Sequence, residues 1–213
     1  MAFSNVSEEL ELDRFSWVPV DIRESLGHLH ETRQFLNKLQ LAGKTKGGKL
    51  IGGNNDTAVR LLKNYLVIRS CGHVETTLRS SIRESAQKHS DPAFANLIEK
   101  YILKSGENPR SENVARKLKA LNEEFVSSWK DFLSDSHQYK DEIYGAETND
   151  TYKRSLQYLV EQRNMVAHGE EVTLSETDAV RLSVAAEHIA VHIVSIFDCF
   201  FRIEDRSDCY IVI

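Results

Sequence analysis

Tyr152-Lys153-Arg154-Ser155-Leu156-Gln157-Tyr158-Leu159-Val160-Glu161-Gln162-Arg163-Asn164-Met165-Val166-Ala167-His168-Gly169 is the stretch that orders the rest of the chain. Tyr152, Leu156, Leu159 and Arg163 fall at spacings of four, three and four, the rhythm of a single helix face. Arg163 thus continues an inward-facing stripe, and Gly169 suits the left-handed residue that ends a helix. Arginine is a permanent cation that matches phosphate, and histidine exchanges protons near neutral pH. In an unbroken helix the five-residue step from Arg163 to His168 turns the two side chains roughly 140° apart. Two geometries bring them to one site. The helix ends at Ala167 or His168 and lets the histidine swing, or two copies of the motif meet across a symmetric interface.

The same period recurs on both sides of this stretch. Residues 57–88 read as a long helix with Asp56 as its cap, and Ile68, Cys71, Glu75, Leu78 and Ile82 share one face. Glu75 in that stripe must be paired or held neutral. It either forms a structural ion pair with an arginine on a neighbouring helix or orients Arg163. Gly72 is costly in mid-helix and points to a close backbone neighbour. Upstream, Asp21 reads as an N-cap, and Ile22, Leu26, Leu29, Phe35, Leu36, Leu39 and Leu41 carry a helix to about residue 42. Downstream of the motif, Ser175 and Asp178 make a capping-box-like start. The last helix follows to about Arg202, with Leu182, Ala186, Ile189, Ile193, Ile196 and Phe200 in its stripe. Shorter helices are expected after Asp91-Pro92, from a Ser111 cap, and over 123–139. Ser134 to Asn149 is polar and partly loop-like, broken at Gly145.

Residues 43–55 are the clearest loop and hold Lys44, Lys46 and Lys49 among half of the chain's glycines. A P-loop is rejected: Leu50 stands where the magnesium-binding Ser or Thr belongs, and a helix precedes where a strand is required. The loop is either a solvated connection or a lysine-bearing flap that meets a polyanion such as RNA.

Of 213 residues, 41% are hydrophobic and 28% charged, enough for a core and a solvated surface. The net charge of −5 argues against coating duplex DNA, but it leaves room for a local basic cleft. No run resembles a membrane span or a secretory signal. Cys71, Cys199 and Cys209 are an odd set without a CxxC pair, which favours a reducing, cytoplasmic setting over disulfides or a zinc knuckle. His188 and His192 are four apart beside Glu187, but HExxH is absent and no third ligand is evident, so no metal is assigned. His28 and His30 read as surface residues.

RNA cleavage needs no metal or other cofactor: the 2′-hydroxyl attacks the adjacent phosphorus while one group takes its proton and others hold the crowded anion. Histidine and arginine suit those tasks, Asn164 can donate to a phosphate oxygen or hold the histidine tautomer, and DNA lacks the hydroxyl.

Arg163-Asn164-Met165-Val166-Ala167-His168-Gly169 resembles the Arg-polar-three residues-His signature of the HEPN superfamily. Ile68-Arg69-Ser70-Cys71-Gly72-His73-Val74-Glu75 resembles the second helix of its RiboL-PSP-HEPN subgroup, and the similarity spans about residues 57–200. The resemblance implies an all-α helical bundle over 57–202. An arm, a helical extension and the loop precede it over 1–56, and a tail follows over 203–213 whose apolar end reads as either a short strand or a clip on the core. It also implies a metal-independent endoribonuclease acting on RNA as a homodimer with a composite cleft and leaving cyclic or 3′-phosphate ends. Arg163 would hold the scissile phosphate, His168 would act as acid, base or positioning group, and Asn164 would be the polar neighbour. Relatives of this kind serve as bacterial toxins or anti-phage effectors, some under an antitoxin or regulatory protein. Others have lost catalysis and bind RNA or protein. A plain helical scaffold with an Arg163–Glu75 pair is the third reading.

Overall fold

A computed structural model describes residues 17–44, 54–100, 108–140, 147–170 and 174–201. Among them are seven helices and one hairpin: α1 (Val20–Lys44), α2 (Asn54–His89), α3 (Pro92–Ile98), α4 (Ser111–Lys119), α5 (Glu123–Ser134), β1 (Ser136–Lys140), β2 (Glu147–Thr151), α6 (Tyr152–Ala167) and α7 (Glu176–Phe201). The chain is an all-α bundle with a small antiparallel appendage.

Helix α7 forms the spine because its stripe is apolar throughout. Leu182, Ala186, Ile189, Ile193 and Ile196 are all buried, and the largest helix interface is α7 against α2. Cys71, Val74, Leu78 and Ile82 of α2 meet that stripe in a core shared with Leu118, Phe125, Trp129, Leu156 and Leu159. The window Glu176–Asp198 has a mean hydropathy of 1.5, long and apolar enough for a membrane span on composition alone. That departs from the sequence expectation, and the bundle accounts for it: 72% of the window is buried inside the fold. At the N-terminus of α7, Ser175 Oγ accepts from the Asp178 backbone N–H at 3.0 Å and donates to Asp178 Oδ2, the expected capping pair.

A polar knot ties α1 to this spine. Glu187, only 5% exposed, receives the Arg33 guanidinium and lies 2.9 Å from His30 Nε2. His30, expected at the surface, is instead drawn inward by that carboxylate. Fully buried His73 of α2 lies 3.2 Å from Ser25 Oγ. Burial, with the nearby positive field of His30 and Arg33, pushes its pKa down to about 3, so it is neutral at physiological pH.

Several local expectations shift. Helix α1 begins at Val20, so Asp21 lies in its first turn rather than at the cap, where it accepts from Ser80 Oγ of α2. Helix α2 starts before Asp56. Ser111 is the first helical residue of α4, and Arg110 is its N-cap, without a side-chain cap. Phe35 and Ile68 leave their expected stripes and are exposed. A Cβ on Gly72 would meet nothing within 4 Å, so no neighbour within this chain requires glycine there. The residues expected to continue the α5 helix form a hairpin, with Ser136 paired to Thr151 and Lys140 to Glu147. His137 and Asp150 pin it to the bundle through Ser155 of α6 at 2.8 Å and Arg181 of α7 at 3.0 Å. The arm, the glycine-rich stretch after Lys44 and the C-terminal tail lie outside the described residues.

Candidate functional site

Helix α6 carries the motif because its two ends are fixed. At the start, Thr151 Oγ1 accepts from the Arg154 N–H, and Leu156, Leu159 and Val160 bury the helix against α2 and α7. At the end, the Gly169 N–H reaches the Val166 carbonyl at 3.0 Å and the Glu170 N–H reaches the Met165 carbonyl at 2.9 Å. With Gly169 at φ 74°, these two bonds form a Schellman terminator, as the glycine in the sequence led one to expect. His168 is the C-cap residue, at φ −89° and ψ 4°, and its side chain is exposed. The helix therefore ends at Ala167, directly before the histidine.

Arg163 lies five residues back, about 1.4 turns, is half-buried, and faces the stretch of α2 that bears Cys71 and Glu75. It makes no direct ion pair among the described residues; its Nη1 donates to Asn164 Oδ1 at 3.4 Å. Glu75 feels the attraction of Arg163, Arg79 and Lys117, yet burial outweighs them and holds its carboxyl above the usual range. Burial and the Glu75 charge likewise push the Cys71 thiol up to about 12, against the opposing pull of Arg163. Cys71 is thus a packing residue rather than a nucleophile.

Asn164 is held from outside its own helix. Asn108, in the short segment before α4, donates from Nδ2 to Asn164 Oδ1 at 2.8 Å. The Asn108 carbonyl in turn accepts from Asn113 Nδ2 at 3.1 Å. In sequence, Asn108-Pro109 reads only as a chain break. Its one signal is an Asn-Pro step ahead of a helix, which carries no chemistry until the fold brings it to α6.

The structure therefore brings Arg163 and Asn164 together within electrostatic reach of Glu75, and leaves His168 exposed as the C-cap of the same helix. Lys44 is the last residue of α1, and its side chain, like Lys46 and Lys49, lies outside the described residues. His188 and His192 turn to separate tasks. His188 Nδ1 meets the Tyr152 hydroxyl at 2.9 Å, and the His192 ring stacks on Phe132 with centroids 4.0 Å apart. Among the described residues no group of three or more His, Cys, Asp or Glu side chains is arranged to hold a metal.

Comparison with known families matches residues 30–198 to RiboL-PSP-HEPN. No curated protein and no solved structure matches the chain. The match begins inside α1 and ends inside α7, so it takes in Glu75, Asn108 and the whole Arg163–His168 motif. With a helical bundle and that motif at a helix end, the chain belongs to the RiboL-PSP-HEPN family of the HEPN superfamily.

Proposed function

We propose that the protein is a metal-independent endoribonuclease whose site is built by Arg163, Asn164 and His168. The observation that carries this reading is the state of Arg163: a half-buried guanidinium without a direct carboxylate partner among the described residues, on the helix whose end carries an exposed histidine. In the reaction the 2′-oxygen bonds to phosphorus as the bond from phosphorus to the 5′-oxygen breaks. The hydroxyl proton leaves to a base, and the departing oxygen receives one from an acid. Arg163 and the Asn164 amide hold the anionic phosphorus centre, and His168 moves a proton. One histidine cannot serve as base and acid in the same step, so a homodimer presenting two copies of the motif is the natural working unit. The products are a 2′,3′-cyclic phosphate and a free 5′-hydroxyl.

A cytoplasmic toxin or anti-phage role, held in check by an antitoxin or regulatory protein, is consistent with such chemistry. The second reading is a catalytically silent module that binds RNA or protein; the net charge of −5 suits a protein partner better than RNA. Purified Arg163→Ala and His168→Ala proteins decide between them. Under the nuclease reading both fold like the wild type and neither cleaves RNA; a wild type that binds RNA without cutting it supports the silent module.

A further inference from the structure

Asn164 Oδ1 accepts from two donors of different origin, Arg163 Nη1 on its own helix at 3.4 Å and Asn108 Nδ2 from the segment before α4 at 2.8 Å. An arginine can only donate. The atom of Asn164 that faces Arg163 must therefore be the oxygen, and the atom of Asn108 that faces the same oxygen must be the nitrogen. From this geometry we infer that Asn108 is a positioning residue that sets the polarity of the site: it holds Asn164 Oδ1 inward and turns the Asn164 NH2 outward as a fixed donor for a substrate phosphate oxygen. The inference rests on the ribonuclease reading of Arg163, Asn164 and His168 and adds a residue that the motif does not contain.

Supports around Asn108 make the hold specific. Pro109 is buried next to it, and Asn113 fixes its carbonyl from the first turn of α4. The hydrogen bond to Asn164 also joins the segment before α4 to the end of α6, two parts of the chain far apart in sequence. An Asn164 amide free to rotate would present oxygen and nitrogen to the phosphate alternately, and the oxygen repels an anion. The constraint therefore acts on the anionic transition state more than on substrate capture, because the negative charge on the equatorial oxygens is greatest there.

Asn108→Ala and Asn108→Asp separate polarity from packing. Loss of the donor in Asn108→Ala should lower kcat about tenfold with KM nearly unchanged. Asn108→Asp keeps the shape but presents oxygen to Asn164 Oδ1. It inverts the amide and offers Arg163 a carboxylate, so its loss should be larger, about a hundredfold. A packing role predicts the opposite order, with the near-isosteric Asp variant milder than Ala. An Asp variant within about twofold of wild type overturns the inference while leaving the nuclease reading intact. A readout independent of activity is the side-chain amide signal of Asn164 in 15N spectra, assigned by its loss in Asn164→Asp. It should shift in Asn108→Ala, and an unmoved signal overturns the hydrogen bond whether or not the wild type cleaves. A wild type without cleavage, with the signal shifted in Asn108→Ala, refutes the nuclease reading and with it the catalytic part of the inference, while the hold of Asn108 on Asn164 stands.

Discussion

Replacing Arg163 with alanine should cost little stability, whereas replacing Glu187 with glutamine should cost much, although both remove a charge from the same bundle. Glu187 is 5% exposed and receives both Arg33, 9% exposed, and His30. Removing the carboxylate from such a buried pair costs about 3 kcal/mol, because the arginine keeps its desolvation penalty and loses its counter-charge. In a chain of this size that lowers Tm by about 10 °C. Arg163 makes one long hydrogen bond, to Asn164 at 3.4 Å, and no direct ion pair among the described residues. Its attraction for Glu75 is screened, and burial already biases that carboxyl toward its neutral form. Arg163→Ala should therefore cost about 1 kcal/mol or less. Urea unfolding at about pH 7.5, followed by far-UV circular dichroism, measures both. A loss of about 3 kcal/mol or more for Arg163→Ala would refute the reasoning. It would mean that the arginine holds the scaffold through Glu75 and is not available to a phosphate. Pairing Arg33→Met with Glu187→Leu should recover most of the single-site loss, since an apolar pair leaves no charge stranded.

Other outcomes follow from the same structure. His73 has a folded pKa of about 3, below its ordinary 6.5, so between those values the unfolded chain binds the proton and the folded one does not. The stability tied to neutral His73 is complete above about pH 6.5 and is lost as the pH falls toward 3, by roughly 5 kcal/mol at most. The acid limb of the stability curve should flatten in His73→Gln, and equal slopes would contradict the assignment. Gly72→Ala should raise stability by about 0.5–1 kcal/mol, because a Cβ there meets open space in mid-helix; thermal melts showing destabilisation would point to a neighbour the single chain lacks. Arg79→Gln and Lys117→Gln should each flatten the salt dependence of RNA binding, lowering the slope by about 0.7 for every phosphate that is no longer neutralised; filter binding across a salt series measures it, and unchanged slopes would remove them from the RNA path.

Much of this arrangement was legible in the sequence where periodicity and local chemistry agree. The α7 stripe from Leu182 to Ile196, the Ser175–Asp178 cap, the Asp91-Pro92 start and the Gly169 terminator all depend on neighbours within a turn or two, and all stand as read; the side chain of Phe200 lies outside the described residues. What was hidden depends on partners distant in sequence. His30 looks solvated until Glu187 arrives from α7, and Ile68 keeps the rhythm of its stripe yet lies past the edge of the core. The hairpin escapes because its strands are polar, with SHQYK and ETNDT lacking an alternating apolar face. Their anchors, His137 and Asp150, act through Ser155 and Arg181. Of the proposed site, Arg163, Asn164 and His168 are candidates that spacing and family likeness offer. Asn108 is not among them, since only the packing of α4 against α6 brings it to the motif.

The central claim is tested most directly by mapping RNA ends. Wild-type protein and His168→Ala are incubated with total tRNA and mRNA in EDTA, and the termini are identified. The account predicts cuts by the wild type with 2′,3′-cyclic or 3′-phosphate ends and 5′-hydroxyls, absent from the variant. Equal cleavage by both proteins, or cuts leaving 5′-phosphates, would contradict it.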